Sequence, residues 1–430
     1  MQMKKLAIAL ALGSLGCVPA AYATNGYFQP GFSVKSVGMG GVGIAFPQDA
    51  MAAAINPAGM VDVGNRLDFG ISLFQPKRNA SLSSDATVMT PSGMAFPIGG
   101  SYGGNDTKTF VIPEFGYNYM LNPTMSVGIA VYGNGGLNTG YSKIFPPFQP
   151  GTGVDLQQMF IAPTFAMKVN PSNSIGVSLN IVHQSFRANG LSNLCNAPVP
   201  GAPAGFTLSS NPSACTDNGH ADSNGVGVRI GWIGQVTPTL SLGATYQSET
   251  HMQGFGKYSG LFANAGQFNI PANYGLGVAW KATPALTVAA DVVRIDYGSI
   301  PAIANGMLPG QLGGQTNGPG FGWKSINVYK LGVAYQYNEA LTLRAGWNHG
   351  DNPIDSSNIL FNTLAPGVVK DHLTLGATYA VAKDMEVSFD YVHAFGHSVS
   401  GPLPMNFGFT GTETLSMSQN VLGVSLGWKY

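Results

Sequence analysis

Two histidine–aspartate pairs are the residues of this sequence whose spacing suits acid–base chemistry. His349 lies close to Asp351, and His393 lies close to Asp390. Pairs of this kind activate a serine or cysteine nucleophile in hydrolases. No nucleophile motif accompanies either pair in the sequence. We therefore expect a protein that is not an enzyme and has no catalytic residues and no cofactor.

The cysteines suggest a disulfide rather than a metal site. Cys17 lies in an N-terminal export signal, which leaves Cys195 and Cys215 in the mature chain. Exported proteins enter an oxidising compartment, so we predict that these two cysteines pair within an external loop. A metal site is not expected, because His220 is nearby but a fourth ligand is missing.

The export signal is predicted to comprise residues 1–23. A basic start precedes the apolar core Leu6–Leu15, and the sequence "AYA" follows as a cleavage site. The mature chain would then begin at Thr24. Its net charge would be about −2, since two lysines leave with the signal and the whole chain is neutral. Such a balance does not favour nucleic acid as a partner.

The composition is unusual for a soluble protein. Charged residues make up 9% of the chain, against roughly 25% in ordinary globular proteins, and glycine occurs 59 times. After the signal, no apolar run is long enough for a membrane helix. The remaining membrane class is the outer-membrane β-barrel, whose strands alternate between apolar and polar residues.

Fourteen segments with this alternation follow one another from residue 66 onward, beginning with "RLDFGISLF" and ending with "NVLGVSLGWKY". Six short connections alternate with seven long ones, as an up-and-down barrel requires. The short connections are "LNPT", "NPSN", "TPT", "KATP", "NEA" and "VAKD". We predict an all-β protein, with a 14-stranded antiparallel transmembrane β-barrel over residues 66–430. Its short turns would face the periplasm.

Residues 24–65 precede the first strand and are poor in charge. A barrel of fourteen strands has a lumen that wall side chains alone do not fill. We therefore predict that this segment is a hatch of short helices that plugs the lumen. Within it, "AAAINPAGM" predicts a short helix that begins near Asp49 and ends at Asn56-Pro57, where the chain turns toward the first strand.

The strand alternation also predicts which basic side chains point inward. Inward cations could bind the carboxylate of a ligand, or they could pair with carboxylates of the wall and the hatch. Both interpretations stay open for each residue. The inward cations are Lys168, Arg229, Lys330 and Arg344, and the available carboxylates are Asp49, Asp62, Glu114, Asp291 and Asp390.

Two stretches carry a resemblance to a known family. They are "GMGGVGIAFPQDAMAAAINPAGM" at residues 38–60 and "VYKLGVAYQYNEALTLRAGWNHGDNPI" at residues 328–354. The chain resembles the FadL/TodX-type family of outer-membrane channels for long-chain fatty acids and other hydrophobic compounds over essentially its whole mature length. The resemblance implies an external groove, an internal pocket, a movable hatch and sideways release beside a kinked third strand, without an energy source.

The resemblance and the residues together give candidate site residues. Asn56, Pro57 and Ala58 match the hatch motif of the family. Gly133, Gly135 and Gly136 are candidates for the lateral opening, although they could also mark the simple end of a strand. The candidate ligand-binding residues are Lys324, Lys330 and Arg344 for a carboxylate, hatch residues Phe28, Phe32 and Phe46, and loop residues Phe145, Phe148 and Phe262.

The sequence thus predicts a passive uptake channel in the outer membrane of a Gram-negative bacterium. Long-chain fatty acids are the first candidate substrates, aromatic hydrocarbons or alkanes the alternative, and a general porin is less favoured. The expected partners are the hydrophobic ligand, outer-membrane lipid and lipopolysaccharide, and the barrel assembly machinery. The protein is expected to be a monomer.

Overall fold

The computed structural model describes residues 25–89, 93–198, 207–306 and 311–430. The predicted signal therefore lies outside the described residues. Fourteen long strands dominate the fold. They are β1 (Arg66–Leu82), β2 (Phe110–Asn122), β3 (Met125–Tyr141), β4 (Thr152–Asn170), β5 (Asn173–Asn189), β6 (Ala221–Thr237), β7 (Leu240–Gln247), β8 (Asn273–Lys281), β9 (Leu286–Ile295), β10 (Ile326–Gln336), β11 (Leu341–Gly350), β12 (Asp371–Ala382), β13 (Met385–Pro402) and β14 (Thr412–Lys429).

The strands form one closed sheet. Each strand pairs antiparallel with its neighbours in the chain, and β1 pairs with β14 in a register that begins at Arg66 opposite Lys429. Six connections are short turns and the other seven are long, in strict alternation. This closed sheet confirms the predicted fourteen-stranded antiparallel barrel. It forms because the alternation in each strand provides one apolar outer face and one mixed inner face.

The outer face carries the apolar band that a bilayer requires. Phe69, Ile71 and Leu73 on β1 are 37–41% exposed, and Leu422 and Leu426 on β14 are 57% and 43% exposed. Large apolar side chains in such positions would be unfavourable in water, but they match the hydrocarbon core of a membrane. Among the described residues, no helix has the length and apolar character needed to cross a membrane.

The N-terminal segment, residues 25–65, lies in the lumen and is called the hatch. It contains the helices α1 (Val34–Val37) and α2 (Ala52–Ile55) and a 3₁₀ helix, Pro57–Asp62. Its backbone lies directly against glycines of the wall. A Cβ atom added at Gly346 would lie 2.2 Å from the nitrogen of Gly40. The predicted lumen plug of short helices is therefore confirmed, and small residues on both sides allow the close approach.

The long connections carry short elements that cover the outer mouth. Their helices are Ser192–Cys195, Pro212–Ala214, Gly256–Tyr258, Ala263–Gly266, Tyr297–Ser299, Pro301–Ala304, Ser356–Asn358, Ile359–Asn362 and Met405–Phe407. Their short strands are Thr87–Met89, Ala95–Pro97, Gly100–Gly103, His251–Met252 and Phe409–Thr410. These loops bury aromatic side chains among themselves and so build an apolar region above the barrel.

Candidate functional site

The wall of the barrel is interrupted between β2 and β3. The two strands pair from their common turn as far as Glu114 opposite Tyr132. Within residues 93–198, β3 makes no further pair with β2, although it remains paired with β4 up to Tyr141 opposite Thr152. The outer half of β3 therefore has one edge that β2 does not pair, and the backbone groups on that edge need other partners. Near its outer end, Gly140 bridges to Asn105 of the connection between β1 and β2.

A bulge in β3 marks the start of this interruption. Gly133 pairs with Met159 and Gly135 pairs with Gln158, so Asn134 is the extra residue. Gly133, Gly135 and Gly136, the glycines predicted for a lateral opening, therefore lie at this bulge. A β-bulge bends its strand locally, which explains why β3 leaves β2 here.

The start of the hatch fills the interruption. Phe28 forms an antiparallel bridge with Gly135. The backbone N–H of Gln29 donates to the Asn134 carbonyl at 3.3 Å, and the backbone N–H of Gly136 donates to the Tyr27 carbonyl at 3.2 Å. A Cβ atom at position 135 would lie 1.8 Å from the Tyr27 carbonyl oxygen. Only glycine at position 135 leaves room for the hatch backbone to pair with β3 and close the wall.

An aromatic cluster holds this stretch of the hatch. The rings of Tyr27 and Phe28 stack with centroids 5.2 Å apart, and the Tyr297 ring lies 5.2 Å from Tyr27 and 5.2 Å from Trp323. The Tyr297 hydroxyl donates to the Asn25 carbonyl at 2.6 Å. Sequence reasoning missed Tyr297 and Trp323, because they come from a long connection that has no periodic pattern.

The predicted hatch aromatics occupy different places. Phe28 belongs to the aromatic cluster, and Phe32 packs on Tyr132 beside the interruption, with centroids 4.9 Å apart. Phe46 instead packs against a separate small cluster around Met39. The structure therefore brings Phe28 and Phe32 to the wall interruption but not Phe46.

The external loops form an apolar cleft above the lumen. Phe186 lies at its base, and the Phe262 ring contacts it with centroids 4.7 Å apart. Phe145 packs against Phe148 and Tyr102 elsewhere in the loops, and neither phenylalanine lines this cleft. The apolar residues that complete the lining are Val154, Leu191, Leu194, Leu208, Leu261, Ala302, Pro319, Phe321, Phe361, Leu364 and Phe407.

Two cysteines lie at the edge of the cleft. Cys195 and Cys215 form a disulfide with a Cα–Cα separation of 6.2 Å, and both residues are buried. Both also line the cleft. The bond joins two parts of the long connection between β5 and β6, and it therefore restrains one side of the cleft.

The predicted carboxylate-binding cations have separate surroundings. Lys330 is engaged by the hatch, since its ammonium donates to the carbonyls of Pro30 at 2.7 Å and Gly41 at 3.2 Å. The Arg344 guanidinium donates to Gln48 Oε1 at 2.8 Å. In this structure both cations hold hatch atoms in the lumen.

Lys324 lies in the loops with an exposed side chain. Its ammonium donates to Asp355 Oδ2 at 2.6 Å. This hydrogen bond lowers the pKa of Asp355 to about 2, so the carboxylate stays ionised under physiological conditions. Lys324 is therefore already paired, and the structure does not bring it together with Lys330 and Arg344.

The hatch motif fixes the end of the plug. Helix α2 ends at Ile55 with Asn56 as its C-cap, as the sequence predicts, although the helix begins at Ala52 rather than near Asp49. The Asn56 side chain accepts from the Ala58 amide at 3.1 Å and donates to the carbonyls of Ile44 at 2.7 Å and Trp232 at 3.0 Å. One side chain thus caps the next turn, closes the hatch on itself and attaches it to β6. Pro57 occupies the first turn of the 3₁₀ helix.

Comparison with known proteins identifies the group to which this architecture belongs. The family described as outer membrane protein transport protein (OMPP1/FadL/TodX) matches residues 18–402. The chain belongs to this family. The long-chain fatty acid transport protein of Escherichia coli K12 is 24% identical over 427 residues, with 92% of each chain covered.

Solved structures show the same fold. A Pseudomonas aeruginosa FadL homologue superposes with a TM-score of 0.70 at 16% identity, covering 94% of this chain and 99% of that one. The Pseudomonas putida toluene transporter TodX superposes with a TM-score of 0.65 at 18% identity, covering 93% and 99%. The apolar outer band described above is therefore that of an outer-membrane barrel of the FadL/TodX type.

A buried charge cluster attaches the hatch of this FadL-type barrel to its wall. Lys35 on α1 donates to Glu386 on β13, and the Arg66 guanidinium lies 2.8 Å from the same carboxylate oxygen. Arg66 also contacts Asp68, which accepts from the Ala50 amide of the hatch at 2.9 Å. Sequence reasoning missed this cluster, since its members come from the hatch and both ends of the barrel sequence.

We expect the substitution Glu386→Gln to destabilise the folded barrel by about 3–5 kcal/mol, because it leaves buried cations without their shared anion. The midpoint of urea unfolding in detergent micelles measures this effect. Asp62→Asn is a matched control, since it removes an ion pair between the hatch and Lys168 of the wall, with 3.0 Å between the charged atoms. The side chains of this pair are partly exposed, Lys168 to 33% and Asp62 to 36%. The control should change the free energy of unfolding by less than about 1 kcal/mol. Equal effects of the two variants would contradict the assignment.

The histidines considered for catalysis pair differently from the sequence proposal. His349 Nδ1 lies 2.7 Å from Asp371 rather than contacting Asp351, and His393 Nδ1 lies 2.9 Å from Asn420 Oδ1. Within the described residues, no group of three or more His, Cys, Asp or Glu side chains could hold a metal ion. Members of this family are transporters or channels.

Proposed function

We propose that the protein is a passive uptake channel for hydrophobic compounds, with long-chain fatty acids as the first candidate substrates. The observation that supports this proposal is the interruption between β2 and β3, which the hatch residues Tyr27–Gln29 close beside the bulge. A ligand would bind first in the loop cleft and then in an internal pocket. Rearrangement of the hatch would then open the wall, and the ligand would leave sideways into the membrane.

The chemistry of the cleft supports an apolar cargo. Its lining consists mostly of aromatic and aliphatic side chains, and apolar surface of this kind at the outer mouth favours binding of hydrophobic molecules. A general porin is disfavoured because the lumen contains the hatch, whose helix α2 is largely buried. Aromatic hydrocarbons or alkanes are the alternative cargo, since a structural neighbour is a toluene transporter.

Several further features belong to this proposal. The chain would lose residues 1–23 as a signal, use residues 24–65 as the hatch and residues 66–430 as the barrel, and work as a monomer in the outer membrane. Insertion would depend on the barrel assembly machinery. Lipopolysaccharide and other outer-membrane lipids would surround the apolar band.

Uptake by cells tests the proposal directly. Cells with and without the protein are given labelled oleate or labelled toluene, and the initial rates of accumulation are compared. Faster oleate uptake in the expressing strain supports the first candidate, and faster toluene uptake alone supports the alternative. Identical rates for both compounds in the two strains would reject the transport proposal.

The cleft makes a separate prediction. Replacing Phe262 with alanine removes an aromatic wall of the cleft and should weaken binding of oleate to the purified protein about tenfold. Phe145→Ala is the matched control, because Phe145 is an equally buried loop aromatic outside the cleft. Equilibrium binding of labelled oleate measures both. If Phe145→Ala weakens binding and Phe262→Ala does not, the first binding site lies beside Tyr102 instead.

A further inference from the structure

A groove on the outside of the barrel crosses five strands, β6 to β10. Its cavity volume is about 750 Å³, and it opens toward the membrane rather than toward the lumen. The side chains around it are outward-facing and well exposed, such as Ile230 at 51%, Tyr274 at 49% and Leu276 at 68%. It is separate from the loop cleft and from the interruption between β2 and β3.

The strand register explains the shape of the groove. One outward row runs Ile230, Tyr246, Tyr274, Arg294 and Asn327, each residue directly opposite the next. The adjacent row begins with Trp232, Ala244, Leu276 and Val292. Ala244 is the one small side chain among these large ones, and it therefore leaves a depression between Trp232 and Leu276. Four inter-strand spacings of about 4.8 Å make the row about 19 Å wide, enough for several acyl chains side by side.

One cation lies at the outer rim of the groove. Arg294 is the last residue but one of β9, a strand that starts at a short periplasmic turn, so it lies at the outer end. Its guanidinium donates to Asn327 Oδ1 at 3.3 Å. Strands β6–β10 lie wholly within the described residues, and no other Lys or Arg at their outer ends faces the membrane. Tyr246 and Tyr274 in the same row match the aromatic belt at a membrane interface.

We propose that this groove is a specific binding site for the phosphorylated, multiply acylated lipid of the outer leaflet, the lipid A part of lipopolysaccharide. Arg294 would bind a phosphate with charge-assisted hydrogen bonds at headgroup level. The acyl chains would lie below it over Ala244 and between the aromatic side chains. The breadth of the groove favours a lipid with several chains over one with two. The site does not depend on the transport proposal.

Native mass spectrometry of the purified barrel tests the proposal. The protein in mild detergent is offered bis-phosphorylated lipid A, dephosphorylated lipid A or phosphatidylglycerol. Wild type should retain the bis-phosphorylated lipid A at least tenfold better than either of the others, and Arg294→Gln should lower that retention about tenfold. Ala244→Trp, which fills the depression and leaves the cation in place, should lower it as well.

The control is Lys77→Gln, which removes an exposed cation from β1, distant from the groove along the barrel wall. It should leave retention unchanged. Heat-dependent mobility in gels verifies that each variant is a folded barrel. Retention that is unchanged in both Arg294→Gln and Ala244→Trp, or equal retention of phosphatidylglycerol and lipid A by wild type, would overturn the proposal.

Discussion

Joining the hatch to the wall by the double substitution Asn25→Cys and Gly350→Cys is expected to abolish uptake while ligand binding persists. A Cβ atom at Gly350 would lie 3.9 Å from the Asn25 Cβ, which suits a disulfide. The crosslink would hold the residues next to Tyr27 and Phe28 against β11, so the wall between β2 and β3 would stay closed. Few native interactions are lost, since Asn25 Oδ1 has no hydrogen-bond partner within the described residues.

Initial rates of oleate uptake in oxidised and reduced cells measure the effect. The oxidised variant should fall at least tenfold below wild type, and a thiol reductant should restore the rate. Each single cysteine variant is a control for the substitution alone. Wild type given the same reductant controls for the native bond between Cys195 and Cys215. Full uptake by the oxidised, crosslinked protein would show that the hatch near residue 25 is a static plug.

Replacing Gly135 with alanine is expected to open the wall permanently. The new Cβ atom would lie 1.8 Å from the Tyr27 carbonyl oxygen, so the hatch has to leave the edge of β3. The bridge between Phe28 and Gly135 would then be lost together with the hydrogen bond that the Gly136 amide donates. Cells should admit an apolar fluorescent dye severalfold faster than cells with wild-type protein.

Gly133→Ala provides the matched control for this prediction. It lies in the same bulge, but the nearest atoms to an added Cβ are 3.4 Å away, an ordinary contact distance. Dye entry measured in the two variants at equal expression separates steric displacement of the hatch from a general effect of losing a glycine. Equal dye entry with alanine at either position would contradict a role for the contact between Tyr27 and Gly135.

The barrel and its closure were predictable because they depend on local patterns. The alternation around Phe69, Ile71 and Leu73 indicates a lipid-facing strand wherever its partners lie, and the short turns set the strand order. The plug was predictable for a related reason. Residues 24–65 have no strand pattern and few charges, and a wide lumen needs filling. The end of α2 just before Asn56 likewise follows from the extended conformation that Pro57 favours for the residue that precedes it.

The candidate site was predictable only in part. The glycines around position 135 mark a weak place in β3, but the sequence left open whether the strand simply ended there. Lys330 and Arg344 point inward as the alternation requires, yet no local pattern indicates that they bind the carbonyls of Pro30 and Gly41 or the side chain of Gln48. Phe145 and Phe262 looked equivalent as loop aromatics, and only the folded loops separate them.

The sequence by itself determined a fourteen-stranded outer-membrane barrel with a filled lumen and a glycine-rich third strand, because alternation, turn chemistry and composition act over a few residues at a time. The tertiary structure alone decided that Tyr27–Gln29 closes the edge of β3, that Glu386 serves both Lys35 and Arg66, and that Arg294 lies in one row with Tyr274. These contacts join residues far apart in the chain, and their geometry depends on strand register and barrel closure, which no short stretch of sequence specifies.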